Sequence, residues 1–284
     1  MIALLEMFQF GFARDALVVG TMVAAVCAVL SCFLVLKGWS LMGDAVAHAV
    51  LPGIVLAYIA GIPLAIGAFG AGLMCSVGTG FIREHCRVKE DTVMGVVFTG
   101  MFAFGLVLFN RTPSEMHLDH ILVGSILGIK EAEYIQSLWL GGLVLLVTLL
   151  FRRDLLLICF DPQQARVMGL RGRFLSLLLL CLLSLAIVAS LQVVGIILVV
   201  AMLVTPGSIG YLWTDRFDRM LIIAMASALF STWGGIWVSI QVALSYELTA
   251  STAGCIVLLQ ALLFVASLVV APKYGLLARR RQSA

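Results

Sequence analysis

Charge is what this sequence has least of. Its 284 residues include 18 Lys and Arg and 15 Asp and Glu, 12% together, where an ordinary soluble domain carries about 25%. Charge that sparse cannot cover the surface of a water-soluble globule of this length. Six stretches hold none of it: Ala16–Leu36, Ala45–Ile82, Thr92–Asn110, Leu175–Trp213, Met220–Tyr246 and Leu248–Pro272. A helix needs about 20 mainly apolar residues to cross roughly 30 Å of hydrocarbon. Ala45–Ile82 and Leu175–Trp213 are each long enough for two crossings. With 62% of its residues apolar, the chain reads as an all-α polytopic membrane protein.

Further absences narrow its chemistry. No CxxC pair occurs, and Cys27, Cys32, Cys75, Cys86, Cys159, Cys181 and Cys255 lie mostly in apolar runs. They read as small buried hydrophobes, neither a disulfide framework nor a zinc cluster. There is no GxxxxGK followed by Ser or Thr, so the chain has no phosphate-cradling loop for nucleotide. The lack of HExxH weakens an intramembrane metalloprotease. Basic residues avoid the spans, which leaves no voltage-sensor stripe. The net charge of +3 is spread along the connections, so no nucleic-acid partner is expected. No cleavable-signal pattern opens the chain, since Glu6 precedes any basic residue; Met1–Ala13 is expected to lie along the membrane surface.

The expected spans are Ala16–Leu36, Leu41–Ala60, Pro63–Ile82, Thr92–Asn110, Tyr134–Phe151, Phe174–Ser190, Val193–Trp213, Met220–Leu244 and Thr252–Ala271. They form one bundle of about nine helices, eight to ten in range, occupying residues 1–284 as a single membrane domain. Turn chemistry at Gly61-Ile62-Pro63 divides one long run, and the vicinity of Ser190-Leu191-Gln192 the other. Placing the C-terminus in the cytoplasm puts 15 of the 18 basic residues inside, with only Arg14, Arg111 and Lys130 outside. The positive-inside rule favours that orientation, with 273–284 as a cytoplasmic tail and the N-terminus outside. Pro206, following Thr205, should kink its helix and free a carbonyl.

Ionisable groups inside spans are costly and mark functional candidates. Asp44 and His48 are such a pair, four apart and therefore on one helical face. Gly43, Ala45, Ala47 and Ala49 leave space around them, and Pro52-Gly53 is expected to break the helix beyond them. A carboxylate and an imidazole together suit a divalent transition metal, but residue type and spacing leave a structural Asp–His hydrogen bond equally open. Two ligands are in any case an incomplete site, which a second subunit would have to complete.

Two polar connections carry weaker signals. Asp161, Pro162, Ala165, Arg166 and Gly169 belong to a segment punctuated as a short helix: Asp161 as N-cap, Pro162 in the first turn, Gly169 as the stop. It fits either a surface anchor or the contact through which a cytoplasmic motor moves the bundle. His117, Asp119 and His120 cluster in the longest outer connection. They form a candidate outer entry for a cation, although a solvated loop cluster is the commoner case.

Taken together, Lys37-Gly38-Trp39-Ser40-Leu41-Met42-Gly43-Asp44-Ala45, His48-Ala49 and Leu51-Pro52-Gly53 resemble the signature of permease subunits of bacterial ABC importers for manganese, iron and zinc. The likeness continues through Glu90–Gly95, Gly124–Gly128, Phe160–Leu170, Val204-Thr205-Pro206-Gly207 and Ala271–Leu277, in order along nearly the whole chain. It is most similar to the second of two paired membrane subunits in manganese/iron importers of enteric bacteria. The stretch Glu247–Gly254 departs from the family pattern. The resemblance implies an importer-type permease in the inner membrane that dimerises with a second copy or a paralogue. It also implies cytoplasmic ABC ATPase subunits and an extracytoplasmic metal-binding lipoprotein. It carries the metal pathway onto Asp44 and His48, and ATPase coupling onto Asp161–Leu170. Such a subunit is no enzyme and holds no resident cofactor; the divalent ion is its cargo. The competing reading is a proton-coupled secondary metal transporter, with Asp44 and His48 relaying protons. A membrane metalloenzyme is disfavoured by too few ligands.

Overall fold

The computed structural model describes residues 11–85, 90–111, 128–129, 131–246, 251–272 and 275. Among the described residues twelve helices follow in chain order: α1 (Gly11–Lys37), α2 (Met42–Ala49), α3 (Leu51–Ala60), α4 (Leu64–His85), α5 (Glu90–Arg111), α6 (Glu131–Leu150), α7 (Arg152–Phe160), α8 (Pro162–Val167), α9 (Gly172–Val194), α10 (Ile196–Trp213), α11 (Phe217–Tyr246) and α12 (Thr252–Val270). Among the described residues nine segments are long and apolar enough to cross a membrane, with α2 and α3 together forming the second. That agrees with the expected bundle, element by element. Residues 1–10 and most of 273–284 lie outside the described residues, and Gly11–Ala13 belong to α1 rather than to a separate surface segment.

The most deeply buried spans are α1, the α2–α3 pair and α9. Helix α1 packs on α6, α10 and α11, while α2 and α3 pack on α4 and α5. Backbone contact between apolar helices in lipid depends on small residues, and Gly53 and Gly67 show why. A Cβ on either would overlap the carbonyl oxygen of the other, so α3 and α4 cross glycine on glycine. Side-chain hydroxyls and amides add polar contacts between spans. Ser231 donates to the Gln260 carbonyl oxygen, Ser239 and Thr252 hydroxyls lie 2.8 Å apart, and the Trp233 indole donates to Thr21 at 2.9 Å.

Three sequence expectations meet their outcome here. First, the helix divides just ahead of Pro52-Gly53, yet the span continues: α2 ends at Ala49, Val50 keeps helical angles (φ −69°, ψ −26°), and α3 starts at Leu51. Proline fits because it occupies the first turn of α3, where a missing N–H is tolerated, while Gly53 serves the crossing with α4. Second, the chain divides at Gly195, not near Ser190–Gln192. Helix α9 runs on to Val194, and Gly195 takes φ 78° and ψ 166°, a region open essentially to glycine. Third, Pro206 stays within α10, and the Gly207 amide behind it donates to Ser31 Oγ on α1 at 2.9 Å. That bond pins the region around Pro206 against α1.

The glycine crossing gives a direct test. Gly53→Ala should destabilise the detergent-purified permease by about 3 kcal/mol, toward the upper end of overpacking. Gly70→Ala, where a Cβ would meet nothing within 4 Å, should leave the unfolding midpoint in place. Equal midpoints for the two variants would contradict the close crossing.

Candidate metal pathway and coupling surface

Helix α2 is eight residues long and places Asp44 in its first turn and His48 in its last. The free N–H groups at a helix start favour an anion, which eases the burden of holding a carboxylate inside a span. One turn later the imidazole reaches back, and His48 Nε2 lies 3.3 Å from Asp44 Oδ1. The side chains remain 31% and 37% exposed respectively, although Gly43, Ala45, Val46, Ala47 and Ala49 around them are buried. Gly43 matters because Leu203 of α10 presses onto it; a Cβ there would stand 3.0 Å from Leu203 Cδ1.

On the other side α5 brings two phenylalanines to the imidazole. Phe102 meets it edge-on with ring centroids 5.3 Å apart, and Phe98 stacks beside it at 6.3 Å. The Nδ1 atom of His48 is buried and has no hydrogen-bond partner among the described residues. Among the described residues, no third His, Cys, Asp or Glu joins the pair in a metal-holding group. The two side chains thus stand as a partly exposed carboxylate–imidazole pair. His117, Asp119 and His120 lie outside the described residues, as does most of the Gly124–Gly128 stretch.

The short capped helix forms as its punctuation predicts. Asp161 Oδ1 accepts the amides of Gln163 at 2.9 Å and Gln164 at 3.0 Å, with Pro162 opening the first turn of α8. Ala165 is buried. Gly169 takes φ 78°, where its amide donates to the Arg166 carbonyl and that of Leu170 to the Ala165 carbonyl, both at 3.0 Å. Helix α8 rests on α7 and α9. Helix α7 is tied to its surroundings by Arg152 to Asp218 at 3.2 Å and by the Cys159 thiol to the Phe33 carbonyl at 3.8 Å. Burial pushes the Cys159 thiol up to about 11, against a smaller lowering by Lys37, so it stays protonated and inert.

Sequence reasoning missed two features. Phe98 and Phe102 gave no signal beyond helical spacing in an apolar run, which lipid-facing phenylalanines share. Val167 and Met168, 88% and 66% exposed at the end of α8, form an apolar tip on a polar connection. Only their position after the capped turn could have distinguished them.

The model of the ABC 3 transport family matches residues 9–271. The chain belongs to that family. Within the ABC 3 transport family, the chain is similar to the chelated iron transport system membrane protein YfeD of Yersinia pestis, 54% identical over 265 residues. That match covers 93% of this chain and 87% of the relative. The manganese transport system membrane protein MntB of Synechocystis is 51% identical over 276 residues, covering 97% and 88%. Among solved structures, PsaBC from Streptococcus pneumoniae in complex with Fab contains a chain that aligns with a TM-score of 0.85. It is 33% identical, with 98% of each chain covered. The bundle described above is therefore an ABC 3 family permease fold, and the chain is a membrane transport subunit.

Proposed function

We propose that this chain is a membrane-spanning permease subunit of an ATP-driven importer whose cargo is a divalent metal ion, Mn²⁺ or Fe²⁺, with Zn²⁺ open to the same ligands. The observation that carries the reading is the Asp44–His48 pair. Both side chains are partly exposed on a membrane-spanning helix, and no third His, Cys, Asp or Glu joins them among the described residues. A carboxylate beside an imidazole is too costly to present to hydrocarbon. It belongs on a face covered by a second permease, a copy of this chain or a paralogue, whose own residues complete the site. Similarity to relatives named for iron and manganese transport supports the cargo class.

The roles divide along the chain. Asp44 and His48 hold the ion transiently as the bundle alternates its access. The segment Asp161–Gly169, with Pro162, Ala165 and Arg166 shaping it and Val167 and Met168 at its tip, receives cytoplasmic ATPase subunits, where ATP hydrolysis takes place. An extracytoplasmic metal-binding protein delivers the ion and does most of the selecting, because a nitrogen and oxygen site by itself follows the general affinity order and favours later metals. The subunit sits in the inner membrane with its C-terminus in the cytoplasm.

Reconstitution separates this reading from a proton-coupled carrier. Proteoliposomes holding the permease, its partner and the ATPases should accumulate ⁵⁴Mn²⁺ only with ATP and the binding protein present. Uptake by this chain alone under a proton gradient would overturn the proposal.

A further inference from the structure

The imidazole of His48 has two nitrogens in unlike surroundings. Nε2 lies 3.3 Å from Asp44 Oδ1, while Nδ1 is buried without a partner among the described residues. A metal bound at Nε2 takes that nitrogen's lone pair, so the ring proton must then reside on Nδ1. Metal-ligating histidines almost always donate this second N–H to a carboxylate, a carbonyl or water, which fixes the ring and raises its basicity. Among the described residues His48 has no such acceptor. The aromatic rings packed on it are Phe98 and Phe102 of α5, at 6.3 and 5.3 Å between centroids.

Resting on the reading that Asp44 and His48 take the metal, we propose that Phe98 and Phe102 are positioning residues that keep this ligand weak. They hold the ring by packing, yet deny Nδ1 an acceptor. Without metal, the Nε2 proton points at Asp44 and Nδ1 carries only a lone pair, so no N–H of the ring is left without an acceptor. Metal binding displaces that hydrogen bond and moves the proton to a nitrogen that has nothing to donate to, so part of the coordination free energy is lost. For an enzyme or a structural site this would be a defect. For a permease it is a requirement, because conduction needs binding favourable enough to enter and weak enough to leave. Outer partners of metal ligands are worth about 10–100-fold in affinity, and this site does without one.

The test supplies the missing acceptor. Phe98→Gln and Phe102→Gln each introduce an amide oxygen at the ring, while Phe98→Leu and Phe102→Leu remove the aromatic ring and leave Nδ1 unpartnered. Mn²⁺ binding to the purified, nucleotide-free transporter complex is measured at equilibrium, alongside ATP-driven ⁵⁴Mn²⁺ uptake. At least one Gln variant should bind Mn²⁺ about 10–100-fold more tightly than its Leu counterpart, and transport it more slowly. A structural role alone moves binding only downward. If both Gln variants bind no more tightly than the Leu variants, while the unaltered complex binds Mn²⁺ in a way that His48→Ala abolishes, the tuning role fails and the metal site stands. If the unaltered complex shows no binding that depends on Asp44 and His48, the metal site fails and this proposal with it.

Discussion

Asp44→Asn and His48→Ala should each reduce metal uptake to background, at least about 100-fold down, with the subunit still present in the membrane at its normal abundance. The scale follows from metal ligation, where losing even an outer partner removes about 10–100-fold. Asp44→Asn is the more discriminating variant. Asparagine has the size of aspartate and can still accept a hydrogen bond from His48 Nε2, now 3.3 Å from the carboxylate. A pair that only joined parts of the bundle would keep that bond and most of its activity. What asparagine lacks is the negative charge that offsets the desolvation of a divalent cation. His48→Ala removes the nitrogen ligand and opens a space beside Phe98 and Phe102. Radiometal uptake in cells lacking other importers, with subunit abundance followed alongside, decides the matter. Near-normal uptake in Asp44→Asn would return the pair to a structural role.

The second large effect belongs to the capped helix. Gly169→Pro should uncouple the transporter, because proline fixes φ near −65° where Gly169 stands at 78°, and because it removes the amide that donates to the Arg166 carbonyl. The turn that ends α8 would then be lost, and with it the presentation of Val167 and Met168. Arg166→Glu reverses charge on the same surface without disturbing the backbone. In both variants the permease should insert normally, while ATPase association and ATP turnover linked to uptake fall by about tenfold or more, the equivalent of roughly 1.4 kcal/mol of docking free energy. Asp161→Ala should act more gently, at about 1 kcal/mol of helix stability, through loss of its cap to Gln163 and Gln164. Normal assembly and normal coupled turnover in both Gly169→Pro and Arg166→Glu would make the segment a surface anchor. Cysteines placed at Gln163 serve as a control for sidedness. A membrane-impermeant thiol reagent that tags them in intact cells would reverse the cytoplasmic assignment.

How much of this was legible in advance depended on the range of the interaction concerned. The spans emerged because their cause is local: a run of about 20 apolar residues meets the bilayer thickness whatever surrounds it. The cap at Asp161 and the stop at Gly169 were readable for the same reason, since each involves hydrogen bonds within four residues. So was the pairing of Asp44 with His48, which is one turn of helix. Where neighbours from distant parts of the chain set the outcome, local reading failed. Pro52-Gly53 reads as a break because proline and glycine are poor helix formers; the division at Val50 takes a single residue with helical angles, and Gly53 is placed for its crossing with Gly67 of α4. The division between α9 and α10 moved to Gly195 because packing carried α9 past its weakly polar stretch to the residue that tolerates positive φ.

The same distinction runs through the site. One turn of α2 holds the carboxylate and the imidazole, and the sequence alone places them on one face. That Leu203 presses on Gly43, that Phe98 and Phe102 pack on His48, and that no third His, Cys, Asp or Glu among the described residues joins the pair are facts of packing between helices far apart in the chain. Apolar side chains carry no directional signal in sequence, since dispersion and burial reward any close neighbour of suitable shape. Which phenylalanine meets the histidine and which meets lipid is settled only when the helices pack.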